Sequence, residues 1–520
     1  MKNLVYRTQT ILRTFLIVIV SLLTIQCTQN SSPMLPLEKD SHIVLLGDNL
    51  GSRMMNFGHF ETEMHLRYPD SSLFIRNMSD PGNTPGFRAH SARNSPWAFE
   101  GAEQFFEDSE LSAETNSQGH FPTPDEWLSQ LNANIIIAFF GRNEAYMGPE
   151  RLDKFKAELE AFIKHTLGQS YNETHAPQLA LVSPIAHEDL SEIKDLPDGS
   201  KINPRLKMYT EAMREVAEKD SILFVDAFNP TKQWYQESDQ PLTIDGSQLN
   251  SEGYKKFSRF LADQVFGETE RKAEQHIELI SDMVEEKNWT WHNDYKIPNG
   301  VHAYGRRYNP YGPQNYPYEI AKLHEMTAIR DTAIWRAAKG ERMDLQAADA
   351  RTRDLPEVKS NFNPEAYGHG APRYLYGEEA LESFDMAPGY NIELFASEED
   401  FDDLSNPVQL SFDNEGRLWV AVMPSYPHWK PGDGKPNDKL LILEDTNNDG
   451  RADTQTTFVD SLHLPVGFEI SSDGVYVSQG TDMIRYRDTD GDDQADEKQI
   501  VLSGFDDHDT HHAHSAYTAD

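Results

Sequence analysis

The amino-acid sequence predicts an α/β domain, then a helical extension, then the beginning of an all-β region. Short apolar runs alternate with helical stretches at 41–267, and helical apolar spacing prevails at 268–383. A pattern of short strands recurs at 384–520 with a period of roughly 40 to 45 residues. With 520 residues, the chain is long enough for about three domains of ordinary size.

Residues 1–27 are predicted to be an export signal. Basic residues precede an apolar run at 15–25, which is shorter than the roughly 20 helical residues needed to span a bilayer. The only cysteine, Cys27, follows in a placement that resembles the lipidated cysteine of bacterial lipoproteins, although Gln26 departs from their motif. We therefore expect an exported, periplasmic or cell-surface protein that is anchored to the membrane by a lipid at Cys27, with ordinary cleavage as the alternative.

The charge balance and the single cysteine argue against nucleic-acid binding, internal disulfides and c-type haem attachment. The chain has 85 acidic and 47 basic residues and a formal net charge of −38, so nucleic acid is not an expected partner. One cysteine can form neither an internal disulfide nor the Cys-x-x-Cys-His attachment site of a c-type haem.

Five apolar runs in the first region predict the strands of a parallel sheet. Continuous apolar strands separated by amphipathic segments are typical of a sheet that helices cover on both faces. In such sheets, binding sites form at the carboxyl ends of the strands. The predicted strands are 42–47, 73–78, 135–141, 179–185 and 222–228, with helices at 152–166 and 204–219.

Four short polar segments of this region occur in an informative order. In order and composition they resemble the four motif blocks of the SGNH (GDSL-type) hydrolase family, over residues 41–267. The resemblance implies a flavodoxin-like, three-layer α/β domain. The segments are Gly47-Asp48-Asn49-Leu50, Asn77-Met-Ser-Asp-Pro-Gly82, Gly141-Arg142-Asn143-Glu144 and Asp245-Gly-Ser-Gln248-Leu-Asn250.

The resemblance also implies a role for five positions. Gly82 and Asn143 match the two positions that stabilise the oxyanion in the family, and Asp245 matches the acid that orients the base. Asn49 stands where the family has its serine nucleophile, and Gln248 stands where it has its histidine base. Neither amide can ionise or carry a proton near pH 7. Loss of a nucleophile or base removes roughly four to six orders of magnitude of rate.

The sequence therefore predicts a domain that recognises glycan or acylated glycan and has weak or no esterase activity. The alternative is an active carbohydrate esterase that uses relocated residues, with Ser52 as nucleophile and His187 as base. His187 can equally be a hydrogen-bonded histidine that supports its loop.

Residues 268–383 are predicted to form a helical extension and a linker. Helical apolar spacing occurs at 268–289 and 318–339, and the segment 354–374 is rich in Pro, Asn and Gly. Between the two helices, the aromatic segment 300–318 is predicted to be a loop because Gly and Pro interrupt it. We expect its aromatic residues to pack on the first domain, with stacking on sugar rings as the alternative.

The third region contains two acidic loops with oxygen ligands at positions 1, 3, 5 and 9, a spacing that suits Ca²⁺. We expect structural calcium sites in these loops, with solvated acidic turns as the alternative. The candidate ligands are Asp445, Asn447, Asp449 and Asp453 in the first loop, and Asp488, Asp490, Asp492 and Asp496 in the second.

Strand repeats of this length predict propeller blades. Residues 384–520 hold about two blades, whereas a propeller typically has at least four, so we expect the sequence to be a fragment of a longer protein. Three segments resemble the propeller of the membrane-bound dehydrogenase family: residues 386–396, the strand Asn-Glu-Gly-Arg-Leu-Trp-Val and the segment Asp-Thr-His-His. This family is related to glucose/sorbosone dehydrogenases and occurs in PVC-type haem-binding proteins. The resemblance implies a further alternative, a fragment of a haem-dependent periplasmic sugar dehydrogenase.

A histidine-rich segment ends the third region. Closely spaced histidines and aspartates can bind a transition metal or a cofactor, and they can also form a turn between blades. The sequence leaves both interpretations open for His508, His511, His512 and His514.

Overall fold

The computed structural model describes residues 34–90, 93–106, 117–357, 375–426 and 429–517. The predicted signal segment with Cys27 and most of the predicted linker lie outside the described residues. In the described part, no helix is both long and apolar enough to cross a membrane.

The predicted parallel sheet is confirmed. Its five strands are all paired in parallel, and their spatial order is 2-1-3-4-5. The order reverses between the first and third strands, which creates the kind of crevice where doubly wound sheets bind ligands. The strands are β1 (His42–Gly47), β2 (Phe74–Asn77), β3 (Ile135–Phe139), β4 (Gln178–Val182) and β5 (Leu223–Val225).

Helices cover both faces of this sheet. Alternate residues of each strand face opposite sides, so each strand contributes apolar side chains to two cores. Val44 and Leu46 pack in one apolar core, and Ile43 and Leu45 pack in the other. The fold is therefore α/β, with cores above and below the sheet. The helices of this part are α1 (Asn49–Ser52), α2 (Met54–Phe57), α3 (His59–Arg67), α4 (Pro124–Gln130), α5 (Arg142–Met147), α6 (Leu152–Leu167), α7 (Asn203–Asp220), α8 (Phe228–Glu237) and α9 (Ser251–Phe266).

The helical extension packs against the first domain. Its helices are α10 (Ile277–Trp291), α11 (Gly300–Ala303), α12 (Gly312–Ala337) and α13 (Leu345–Asp349). Buried ion pairs join it to the sheet domain: Arg76 binds Asp331 through two hydrogen bonds of 2.8 and 2.6 Å, and Lys287 lies 2.5 Å from Glu61.

The prediction of a loop throughout 300–318 is wrong. The helix α12 begins at Gly312 inside this segment, and Pro317 lies within it. Pro313 occupies the first turn, where a helix needs no N–H donor, so proline there does not prevent helix formation. Tyr304 and Tyr316 pack against the core of the first domain.

Two antiparallel four-stranded sheets form the third region, and in each sheet the strands are adjacent in sequence order. The two sheets share one apolar core that includes Trp419, Phe468 and Ile484. In each sheet, the predicted acidic loop joins the third and fourth strands. A short helix, α14 (Gly377–Glu382), precedes the strands β6 (Pro407–Phe412), β7 (Leu418–Val422), β8 (Asp438–Glu444), β9 (Thr454–Leu462), β10 (Phe468–Ser471), β11 (Gly474–Gln479), β12 (Asp482–Arg487) and β13 (Glu497–Ser503).

Candidate functional site

Asn49 lies at the carboxyl end of β1, at the first position of α1. Gly47 precedes it with φ of +116°, and a Cβ there would lie 2.0 Å from the backbone oxygen of Phe139. Only glycine therefore fits this close approach of β1 to β3. Asp48 caps α1, since its carboxylate accepts a hydrogen bond of 3.0 Å from the Leu50 N–H. The strand end and the cap together fix Asn49 at the edge of the sheet.

A chain of side-chain hydrogen bonds runs from Asn49 to Asp245. Asn49 Nδ2 donates to Gln248 Oε1 at 3.0 Å, and Gln248 Nε2 donates to Asp245 Oδ2 at 3.0 Å. A Ser–His–Asp triad is connected in the same order, from nucleophile to base to orienting acid. The structure therefore brings together the three positions that the sequence assigned to nucleophile, base and acid.

Asp245 is held in its ionised form. Burial raises the pKa of its carboxyl group, but hydrogen bonds from the Ser247 and Gln248 N–H groups and from the Gln248 amide lower the pKa by more. An ionised Asp245 can only accept hydrogen bonds. It therefore orients the Gln248 NH₂ towards itself and the Gln248 carbonyl towards Asn49.

The predicted oxyanion positions meet at one loop. Gly82 has φ of +83°, and a Cβ there would have no heavy atom within 4 Å. Asn143 Nδ2 donates to the backbone oxygen of Asn83 at 2.8 Å, which ties the end of β3 to this loop. Asn143 therefore uses its amide to hold the loop in the present structure, and Gly82 borders open space.

Ser52 and His187, the two residues of the relocated-pair alternative, contact different parts of the structure. Ser52 lies one turn after Asn49 in α1 and lines a small cavity beside it. His187 Nε2 bonds the backbone oxygen of Pro197 at 3.1 Å, and its backbone N–H bonds Asn203 Oδ1 at 2.8 Å. Within the described residues, no hydrogen bond joins Ser52 to His187. The contacts of His187 are those of a histidine that supports its loop.

Arg53 is a functional candidate that the sequence reasoning missed. Its side chain lies in both small cavities that flank Asn49, of about 30 and about 10 Å³. Arg53 is only 2% exposed. Its position four residues after Asn49, at helical spacing, is the one signal that could have identified it.

The third region covers this site. Thr481, Ser503 and Gly504 line the larger of the two small cavities, and a Cβ on Gly504 would lie 3.8 Å from Asn49 Oδ1. A cavity of about 30 Å³ holds roughly two water molecules. The β12 and β13 ends therefore form one wall of the candidate site.

A larger cleft adjoins the site. It has a volume of about 670 Å³ and lies between α10 and the strands β11 to β13. Met55, Asn56 and His292 line both the cleft and the cavity beside Asn49. The two spaces are therefore neighbours.

The second acidic loop has a geometry that suits a cation. Asp488, Asp490 and Asp496 each place an oxygen atom so that all three lie within 4.8 Å of one another. The Asp492 charge is the main cause of a raised pKa at Asp490, which is the repulsion that a cation would relieve. These donors fit Ca²⁺.

The first acidic loop has the same pattern of hydrogen bonds as the second, in which Asp488 accepts from backbone N–H groups and Asp496 accepts from the Thr489 hydroxyl. The carboxylate of Asp445 accepts hydrogen bonds from the N–H groups of Asp449 (3.2 Å) and Gly450 (2.8 Å), and Asp453 accepts from the Thr446 hydroxyl at 2.8 Å. These contacts also occur in an acidic turn without a metal. Calcium binding stays a prediction for both loops.

The histidine-rich segment forms an interface with the other two regions. His508 lies between Asp506, which its Nδ1 contacts, and His90, whose Nε2 is 2.9 Å from His508 Nε2. Asp507 Oδ2 lies 2.8 Å from His292 Nε2 on the helical extension.

The other histidines of the segment have local contacts. His512 Nδ1 lies 3.0 Å from Asp509, and His514 Nε2 bonds the backbone oxygen of Asp482 at 3.0 Å. The side chain of His511 lies outside the described residues. Ligand atoms of Asp506, Asp507 and His508 also lie within 4.8 Å of one another, so the metal and packing interpretations both stay open.

Comparisons with known proteins match different parts of the chain. A family model described as "Domain of unknown function (DUF7133)" matches residues 377–519, which contain both antiparallel sheets. No curated protein matches the chain.

Several solved structures resemble the chain at low identity. A gut microbial diltiazem-metabolizing enzyme is 16% identical over 45% of this chain, with a TM-score of 0.32. This chain spans 48% of that enzyme, or about half its length. A protein described as GDSL-like lipase from Parabacteroides merdae is 15% identical, with 45% of this chain and 99% of that chain covered and a TM-score of 0.32. The acetylxylan esterase Axe2 from Geobacillus stearothermophilus is 13% identical, with 44% and 96% covered and a TM-score of 0.30. Scores this low assign neither a fold family nor an activity.

Proposed function

We propose that the chain recognises glycan or acylated glycan through an SGNH-type α/β domain that has lost its esterase catalyst. The observation that carries the proposal is the hydrogen-bonded series Asn49, Gln248 and Asp245. It has the connectivity of a hydrolytic triad, but amides replace the nucleophile and the base.

The topology supports the same proposal. The parallel sheet has the 2-1-3-4-5 order of doubly wound folds, and Asn49 lies at the switch point between β1 and β3. Ligands of such sheets bind outside the carboxyl ends of the strands. The amide and guanidinium groups there can hydrogen-bond a carbonyl, a carboxylate or sugar hydroxyls.

The proposed domain organisation has three parts. They are the SGNH-type domain at 41–267, the helical extension and linker at 268–383, and two blades of a β-propeller at 384–520. Two consecutive four-stranded antiparallel sheets with a shared core support the last assignment. Export, with a lipid anchor at Cys27, belongs to the same proposal.

A restoration experiment tests the loss of the catalyst. The full chain and its Asn49→Ser, Gln248→His double variant are assayed for hydrolysis of aryl acetates and of acetylated xylan. We expect background rates for the parent and measurable hydrolysis for the double variant, because the Asp245 carboxylate is in position to orient a histidine at 248. The single variant Asn49→Ser is the matched control and should remain inactive. Hydrolysis by the parent chain would show that other residues carry the chemistry.

Recognition is measured separately, by calorimetric titration of the parent with acetylated and deacetylated xylo-oligosaccharides. Binding of either supports the proposal. If the parent binds neither, the recognition role is wrong, whatever the double variant does.

A further inference from the structure

The guanidinium group of Arg53 is buried without a hydrogen-bond partner. In the described part of the chain, none of its three nitrogen atoms makes a hydrogen bond, and none is exposed to solvent. A buried charge is costly unless it is paired and hydrogen-bonded. Most other buried cations here have such partners, as Arg76 has with Asp331. The N–H groups of the Arg53 guanidinium are therefore available to bind a ligand.

The charged groups around Arg53 do not neutralise it by direct contact. Its charge acts against the rise in pKa that burial causes at Tyr254, whose hydroxyl it also contacts, and at Asp482 of β12. Burial raises the pKa of Asp48, and the charge that opposes this rise is that of Arg142. The Tyr254 hydroxyl donates elsewhere, to the backbone oxygen of Leu50 at 3.0 Å.

The cavity that Arg53 lines is small and adjoins a much larger cleft. The cavity of about 30 Å³ contains Arg53, Asn49 and Lys296. Lys296 is engaged by Asp80, at 2.6 Å. The cavity adjoins the cleft of about 670 Å³, a volume within the range of small-ligand sites. A small anionic group at Arg53 can thus be joined to a larger body in the cleft.

The cleft presents groups that suit a polyhydroxylated molecule. Its lining combines the indole of Trp289 with polar side chains that offer both donors and acceptors. Asp482 Oδ1 is buried and has no hydrogen-bond partner among the described residues, so it can accept from a hydroxyl group. The other polar residues of the lining are the neutral Asn56, Asn288 and Gln479 and the titratable Asp282, Glu285, Glu286, His292, Lys435 and Lys498, with Lys435 paired to Glu286.

We propose that Arg53 binds the carboxylate of an acidic saccharide whose sugar rings lie in the cleft between α10 and the strands β11 to β13. The proposal rests on the glycan-recognition role proposed above and names the class of glycan. A planar carboxylate matches the fork of a guanidinium and occupies little more than the space of two water molecules. A tetrahedral sulfate is larger and matches the small cavity less well.

Calorimetric titration of the full chain with digalacturonate and with its dimethyl ester tests the proposal. The two probes share their sugar rings and differ in charge. Because hydrogen bonds to charged groups contribute about 1.5–3 kcal/mol, we expect the acid to bind roughly ten- to a hundredfold more tightly than the ester. Glucose 6-sulfate is the third probe and should bind more weakly than the acid.

Two substitutions assign the effect to Arg53. Arg53→Met should abolish the preference for the acid, and Arg53→Lys should keep part of it. Arg205→Met, which removes an exposed arginine of α7, is the matched control and should leave the preference unchanged. Without ligand, Arg53→Met should raise the melting temperature, since an unpaired buried charge is removed. A purely structural arginine would give the opposite shift.

The outcomes separate this inference from the proposed function. Equal affinity for acid and ester, a preference that survives Arg53→Met, or tighter binding of the sulfate would overturn the carboxylate site and leave Arg53 solvated by water only. If acetylated xylo-oligosaccharides still bind in that case, glycan recognition stands without it. If no saccharide binds, both proposals are wrong.

Discussion

The side-chain amides of Asn49 and Gln248 are joined by a hydrogen bond of 3.0 Å across 199 residues of sequence. Asn49 donates and Gln248 accepts, so the pair needs no proton transfer to be stable. Gln248 also donates to Asp245, which anchors the turn before α9. Asn49, Gln248 and Asp245 are thus connected by static hydrogen bonds.

Gln248→Ala should destabilise the protein by about 1–3 kcal/mol, because it leaves the buried Asn49 donor and an Asp245 oxygen without their partner. Denaturant titration of the full chain measures this change. Gln240→Ala removes an exposed glutamine and should change the free energy of unfolding by less than about 0.5 kcal/mol. Similar values for the two variants would show that the amide series contributes no stability.

Asp48 should make the folded state less stable as pH rises. Burial raises its pKa from 3.8 to about 6, against the opposing charge of Arg142. The folded state therefore binds the proton more tightly than the unfolded state, and stability falls between about pH 4 and pH 6. Asp48→Asn keeps an oxygen for the helix cap and should stabilise the chain at pH 7 by up to about 3 kcal/mol.

That advantage should fall to less than about 1 kcal/mol near pH 4, which is close to the unfolded pKa of 3.8 and well below the folded pKa. Urea denaturation of both chains at pH 4, 5, 6 and 7 measures the difference. A constant difference across this range would contradict the raised pKa.

Ca²⁺ should stabilise the second acidic loop more than the first. Oxygen atoms of Asp488, Asp490 and Asp496 lie within 4.8 Å of one another, and among the described residues the acidic side chains of the first loop form no such group of three. Addition of CaCl₂ after EGTA treatment should raise the melting temperature, because ligands that bind only the folded state stabilise it. Asp490→Asn should reduce this rise more than Asp449→Asn does. No rise in the parent chain would remove the calcium assignment.

Features that follow from a local pattern of residues, or from the order of short motifs, could be predicted from the sequence. The strand β1 and its neighbours follow from continuous apolar runs, and the approach of Gln248 to Asn49 follows from the order of the motif blocks. The segment 300–318 was predicted wrongly because prolines in the first turns of a helix look like loop signals. The role of Arg53 escaped prediction since its lack of a partner depends on β12 and β13, which lie more than 400 residues away in the chain.

The contact between His508 and His90 should make the attachment of the third region depend on pH. Burial lowers the pKa of His508, but Asp506, Asp507 and Asp80 raise it by more, so its pKa lies above 6.5. His90 has its pKa lowered well below 6.5 by burial, with His508, Arg93 and Lys296 adding to the effect. A protonated His508 can thus donate to a neutral His90 across the 2.9 Å between their Nε2 atoms.

A histidine with a raised pKa contributes stability that is fully present below pH 6.5 and is lost as pH rises through its folded pKa. Amide hydrogen exchange in peptides from residues 499–517 should therefore be slower at pH 6 than at pH 9, after correction for the intrinsic exchange rate. His508→Gln should exchange faster at pH 6 and lose the pH dependence. His175→Gln, at an exposed position, is the control and should behave as the parent. Equal protection at both pH values in the parent would show that the interface is held without the charge on His508.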